Sequence, residues 1–526
     1  MTILLILAPG IFPGWSRQRL FLQQDQQNDI SVLFYYHKEE SPMSAEARTQ
    51  PTQAESLRAN TIGLPGVLFQ SMTTMAPASA VAFSLVAAIP FTGGALPLAT
   101  VIALAVCLLV ALNIGAMAKH LPSAGGYFTY VSRGLGAQAG WMTGWLFSLA
   151  YLLIVPFQLL VLGPVADQFV AQYLHLSFGT YGWIVWAVVF AVVIFVLTYF
   201  GIRISADAGV ILGCIEIGVF VLLSLWLIFS PGSHNTTAAF NPFSSRLSDW
   251  GGWKGVLVGM LFVFTAFAGF ESSAPLAEES HHPRRTVPRA ILLATILIGL
   301  FYILCSYAGV AGWGIDKLAT TYLSDPDPWA TMAGRVWGGL SFIVILTILN
   351  SALANSNAGV NAITRTLYAM GRTRTLPPAL SHLNRFKVPD VALFLAMLVA
   401  LVAALWAGLA LGPFPGGFTL IGAILTFPIL LVYVATCISV CFFYLREHRE
   451  EFQVWRHMIV PLVPVVVLCF VLYYQFTSLT APYSLSIPII LGWFGLGLII
   501  VILLSLRAPA ALARSNRVYA EQTSEE

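Results

Sequence analysis

The segment Trp253-Lys-Gly-Val-Leu-Val-Gly-Met-Leu-Phe-Val-Phe-Thr-Ala-Phe-Ala-Gly-Phe-Glu-Ser-Ser-Ala-Pro-Leu-Ala277 decides the fold. It is long enough to cross a bilayer, since about 20 residues at a 1.5 Å rise span a hydrocarbon layer of roughly 30 Å. Yet its second half sets a glycine, a glutamate and two serines where an ordinary span stays apolar. The apolar run 64–89 has a counterpart, Ser71-Met-Thr-Thr-Met-Ala-Pro-Ala-Ser79, in which Pro77 removes a backbone donor and obstructs the preceding turn. Either feature alone reads as a kink, because Pro and Gly are common in membrane helices. Placed five spans apart, at matching points of two halves, they point to inverted repeats with a site at the midplane.

The rest of the chain agrees. Of 526 residues, 58% are hydrophobic and 9% charged, against roughly 25% charged in a soluble domain. Hydropathy predicts an all-α polytopic membrane protein with about twelve spans, at 64–89, 95–118, 137–165, 183–200, 206–230, 253–277, 288–312, 336–357, 391–411, 418–444, 459–476 and 486–506. Residues 1–60 read as a disordered cytoplasmic leader, with Met43 as a candidate start, 61–507 as the transmembrane domain and 508–526 as a cytoplasmic tail. With the amino terminus inside, 22 of the 26 Lys and Arg fall on the cytoplasmic side. That division follows the positive-inside rule and puts both termini in the cytoplasm of a cell membrane.

A net charge of +3 without a long basic run excludes nucleic acid as a partner. The six cysteines lie in apolar runs without metal-ligand spacing and read as packing residues. No metal, cofactor or catalytic group is expected, and the partners are a small molecule and the lipid bilayer. Residues 122–136, too polar to span, suggest a helix lying at the interface. Glu278 and Glu279, with Arg284 and Arg285, read as an exposed loop network.

These segments resemble bacterial permeases of the amino acid-polyamine-organocation superfamily over residues 60–507. The resemblance rests on Phe267-Ala-Gly-Phe-Glu-Ser-Ser-Ala-Pro-Leu-Ala-Glu-Glu-Ser280, followed by Pro283-Arg-Arg-Thr-Val-Pro-Arg289. Pro122-Ser-Ala-Gly-Gly-Tyr-Phe128 and Thr364-Arg-Thr-Leu-Tyr-Ala-Met-Gly-Arg372 add to it. It implies a five-plus-five inverted repeat with two further C-terminal helices, and alternating-access transport of an amino acid or related amine. A polyamine or other organocation is the alternative substrate. It also implies a substrate site at the two interruptions, comprising Thr73, Thr74, Met75, Ala76, Pro77 and Ala78, with Thr265, Ala266, Phe267, Ala268 and Gly269. Backbone near Thr74, Met75 and Ala76 would hold a carboxylate, and carbonyls around residues 266–269 an amine. Family members often carry glycines at the first interruption, where this chain has Thr74-Met-Ala-Pro77.

Two features bear on coupling to a proton or sodium gradient. In the eighth span Asn350, Ser351, Asn355, Ser356, Asn357 and Asn361 form a polar stripe, which reads equally as interhelical glue or as the lining of an ion path. Glu216 lies about ten residues, or roughly 15 Å, into the fifth span. A carboxylate there costs roughly 2.5–3.5 kcal/mol on insertion scales. By resemblance, Glu216 stands where some proton-coupled relatives carry a lysine. The expected coupling set is Glu216, Ser351, Asn355 and Ser356, with Glu216 facing the stripe. A channel would need repeated pore segments, and a membrane enzyme a clustered nucleophile, metal or acid-base pair; neither pattern stands out.

Overall fold

The structure is a computed structural model describing residues 60–201, 206–244, 251–325 and 327–513. Most of the leader and of the carboxyl-terminal tail lies outside these residues. The helices are α1 (Leu64–Thr74), α2 (Pro77–Ser79), α3 (Leu85–Thr92), α4 (Leu96–His120), α5 (Tyr127–Leu135), α6 (Ala137–Leu152), α7 (Ile154–Tyr173), α8 (Gly182–Tyr199) and α9 (Ala206–Phe229). They continue as α10 (Trp253–Phe267), α11 (Pro283–Trp313), α12 (Pro328–Trp337), α13 (Phe342–Arg372), α14 (Asp390–Leu411), α15 (Phe418–Arg446), α16 (Val460–Ser478), α17 (Ser486–Arg507) and α18 (Pro509–Ala513).

Among the described residues, ten segments are long and apolar enough to cross a membrane. The first, Leu64–His120, is 57 residues long and breaks at Gly93, so it supplies two crossings. The short apolar helix Trp253–Phe267 begins another, which accounts for the twelve expected spans. Their burial separates a core from a periphery: the most apolar window of Ala137–Tyr173 is 100% buried, that of Tyr483–Arg507 only 17%. The last span is the least buried, whereas Trp455–Ser478, at 33%, matches Gly182–Tyr199 and Val210–Phe229. Outward-facing Leu222, Trp226, Phe229, Val402 and Leu506 are exposed, as lipid-facing side chains of a multi-pass protein must be. Cys214 and Cys469 join them, so the reading of all six cysteines as packing residues fails for these two.

Two local expectations change. The eighth span does not end near residue 357: α13 runs to Arg372, and its 31 residues extend roughly 46 Å, well past the hydrocarbon layer. Hydropathy stops where Asn361, Arg365 and Arg372 begin, but these side chains find partners outside the apolar zone. Residues 127–135 are helical as α5 but do not lie on a surface. Tyr127, Phe128, Tyr130 and Val131 are buried, and Ser439 of α15 donates to the Tyr130 carbonyl at 2.9 Å. Gly134 permits that approach, since a Cβ there would collide with the Ser439 carbonyl oxygen.

Both interruptions exist. In the first span the helix stops at Thr74, Ala76 takes a left-handed conformation (φ 48°, ψ 63°), and Pro77 starts the next segment. A π-helical stretch, Ala80–Ser84, follows. In the sixth, α10 stops at Phe267, Gly269 has φ 122°, and the chain resumes as a 3-10 turn, Ala274–Glu279. Beyond it, Ile62 and Ser280 form an isolated parallel bridge. The amides of Thr61 and Ile62 donate to the Glu279 carbonyl at 2.8 and 3.0 Å, and that of His281 to the Ile62 carbonyl at 2.8 Å.

Candidate transport site

The two interruptions touch. A Cβ on Gly269 would lie 2.6 Å from the Thr74 carbonyl oxygen, so only glycine fits between them, and its positive φ disfavours other residues as well. The Ser272 hydroxyl is 2.7 Å from that of Thr74, and Ser71 donates to Ser273 at 3.0 Å. Opening a helix strands backbone groups that must find other partners. Here they do: Asn355 of α13 donates to the Thr74 carbonyl, and the Tyr302 hydroxyl of α11 reaches the carbonyls of both Met75 and Ala266. The Ala78 amide donates to Ser351 at 3.2 Å. In this conformation, then, the freed carbonyls at Thr74, Met75 and Ala266 are held by side chains of neighbouring helices.

Glu216 faces inward as expected and is 2% exposed. Its carboxylate accepts from Asn350 at 2.8 Å and from Ser351 at 3.0 Å. Ser351 therefore touches both Glu216 and the Ala78 amide, linking the acid to the first interruption. Beside it runs a cleft of about 270 Å³ whose lining includes Gln70, Thr73, Glu216, Asn350, Asn357 and Arg365. Between Asn350 and Arg365 it follows about 22 Å of α13. Of the expected coupling set, Glu216 and Ser351 meet, whereas Asn355 serves the first interruption and Ser356 bonds its own helix at the Ala352 carbonyl.

Of the expected substrate residues, Thr73 borders the cleft and bonds back to the Phe69 carbonyl at 2.7 Å. Thr265 pairs with Thr426 of α15 at 2.5 Å, and Phe267 sets its ring edge-on to Tyr302 at 5.2 Å. Both are buried.

From the sequence, Glu271 reads equally as a structural helix-end group or a ligand contact. It is fully buried, and Tyr151 of α6 and Tyr433 of α15 each donate to it at 2.8 Å, with the Gly269 amide at 3.1 Å. The reading of Glu278 and Glu279 as an exposed loop network is overturned. Glu279 is 4% exposed and takes a two-bond contact from Arg365 at 2.5 and 3.3 Å. Arg372 holds Glu278 in the same way at 2.9 and 3.3 Å. The polar end of α13, which hydropathy cuts off, supplies both arginines. Buried charges require partners of this kind.

A family model described as amino acid permease matches residues 66–508, including both interruptions and the α13 arginines. The chain belongs to the amino acid permease family. The repeat fold with its interrupted first and sixth spans is the fold of that family. Among curated relatives, the branched-chain amino acid permease BcaP of Lactococcus lactis subsp. cremoris is 27% identical over 342 residues, covering 59% of this chain and 68% of the relative. The low-affinity putrescine importer PlaP of Escherichia coli K12 is 26% identical over 377 residues, 68% of this chain and 76% of its own. The aromatic amino acid transport protein AroP of Corynebacterium glutamicum is 28% identical over 331 residues, 59% and 66% respectively. This permease is accordingly a secondary transporter of amino acids or polyamines, and its family and relatives are transporters rather than enzymes.

Proposed function

We propose that the permease carries an amino acid or closely related amine across the cell membrane by alternating access, with Glu216 coupling movement to a proton or cation gradient. The observation that carries this reading is the chain of contacts from the first interruption through Ser351 to Glu216, which borders the cleft. Substrate binds at the facing interruptions, around residues 73–78 and 265–269. Its polar ends take over carbonyls and amides now held by Asn355, Tyr302 and Ser351. Charging or neutralising Glu216 alters its bonds to Asn350 and Ser351 and so the hold on the Ala78 amide. The excess of Lys and Arg near Arg365 and Lys387 supports a cytoplasmic position for the cleft mouth and both termini.

A diamine is the second reading. The likeness to a putrescine importer favours it, as does a carboxylate bordering the cleft. Purified protein in proteoliposomes, offered radiolabelled amino acids and putrescine with and without imposed pH or sodium gradients, separates these. Saturable uptake, counterflow and gradient-driven accumulation support the proposal. Linear flux without counterflow would instead indicate a pore, and accumulation of putrescine alone would select the second reading.

A further inference from the structure

The connection between α15 and α16 carries a side-chain cluster for which transport gives no reason. Arg449–Glu451 form a single 3-10 turn. Side chains three apart eclipse in such a turn, so His448 and Glu451 fall on one side. His120, the last residue of α4, meets them there. The two imidazole rings lie 4.3 Å apart. Glu451 oxygens stand 3.8 Å from His120 Nε2 and 3.8 Å from His448 Nδ1. One donor atom from each of the three lies within 4.8 Å of the others.

At 3.8 Å these groups are too far apart to hydrogen-bond to one another, and His120 Nε2 is buried without a hydrogen-bond partner. Two imidazoles and a carboxylate are a donor set for zinc, which binds them at about 2.0–2.2 Å and leaves a fourth position for water. Small side-chain movements would bring the present spacing to that geometry. The His120 ring is already steadied by Phe443 at 5.8 Å and Tyr444 at 5.6 Å, while Glu451 is 50% exposed and leaves a way in from solvent.

We infer that His120, His448 and Glu451 form a binding site for a divalent transition metal of the zinc type, which clamps the end of α4 to the α15–α16 connection. Lys119 lies 3.9 Å from Glu451, and Arg284 also acts on His120; Arg456 and His457 face the cluster from the turn Trp455–Ile459 that precedes α16. An exposed pair such as Lys119–Glu451 contributes little and yields to a metal. α4 packs along α11 and α10 and also meets α15 and α16, while α15 packs further on α5 and α6. A metal bridging them adds a stiff cross-link where α4 already meets α15, holding the two fixed at that end and slowing the exchange of conformations that transport requires.

The test uses the full-length protein, stripped with chelator and titrated with zinc chloride while heat release and thermal unfolding are followed. One saturable zinc that raises the unfolding temperature is expected, with no response to magnesium. His448→Ala and Glu451→Gln, both on the surface turn, should each weaken the affinity at least about tenfold while keeping the unfolding temperature of the zinc-free protein. Zinc should slow uptake by the wild type and not by His448→Ala. Absence of saturable binding, or equal binding by both variants, overturns the site; binding that leaves uptake unchanged overturns the clamp.

Discussion

Glu216 and Glu271 are both buried carboxylates beside an interruption, yet their surroundings differ. Glu216 takes its side-chain donors from one helix, α13, lies beside the Ala78 amide of the first interruption, and borders the cleft. Glu271 takes its donors from α6, α15 and its own interruption, and does not border that cleft. An acid bonded on several sides and away from water fastens the elements that surround it. An acid open to a cleft through neutral amides and a hydroxyl can gain and lose a proton or cation. Burial alone does not distinguish the two carboxylates; access to the cleft does.

The largest expected effect lies where the two neighbourhoods meet. Gly269→Leu forces a side chain into the Thr74 carbonyl and a backbone conformation unfavourable to it. Uptake should fall at least about 100-fold, as misplacement of a site by an ångström can do, while the protein still inserts in the membrane. Normal uptake by a well-expressed variant would show that contact between the interruptions is dispensable.

Next is Glu271→Ala, which strands two tyrosine hydroxyls and the Gly269 amide in the interior. At roughly 1–3 kcal/mol for each orphaned buried donor, the fold should lose about 3 kcal/mol or more, read as a lowered unfolding midpoint in detergent. A midpoint equal to the wild type's would remove the fastening role. The mildest change to the fold is Glu216→Gln, which keeps the shape and leaves an oxygen to accept from Asn350 or Ser351. Stability should shift by less than about 1 kcal/mol, exchange should persist, and accumulation driven by the gradient should disappear. A Glu216→Gln variant that still concentrates substrate would make the two carboxylates alike after all.

The spans and both interruptions are readable because each is written in consecutive residues: apolar runs for the former, Pro77 and the 267–275 segment for the latter. Glu216 is readable as an isolated acid in an apolar helix, and Ser351 as part of a stripe at helical spacing. The rest depends on residues distant in sequence. Tyr151 and Tyr433 lie 120 and 162 residues from Glu271, and a lone tyrosine in an apolar helix looks like any core aromatic. Tyr302 is invisible for the same reason. Glu278 and Glu279 are misplaced because hydropathy ends the eighth span before Arg365 and Arg372, whose pairing with them depends on a longer α13 that also buries Val360, Ile363, Leu367 and Met370. His448 and Glu451 have a visible three-residue spacing, but nothing local names His120 as the third member.

The bridge between Ile62 and Ser280 has a mechanical consequence. It stitches the entrance of the first interrupted helix to the exit of the second by three backbone hydrogen bonds. Any step that swings α1 away from α13 must carry the Ala274–Glu279 turn with it or tear those stitches. At this end the two broken helices therefore behave as one lever, and Arg365, gripping Glu279, is its catch.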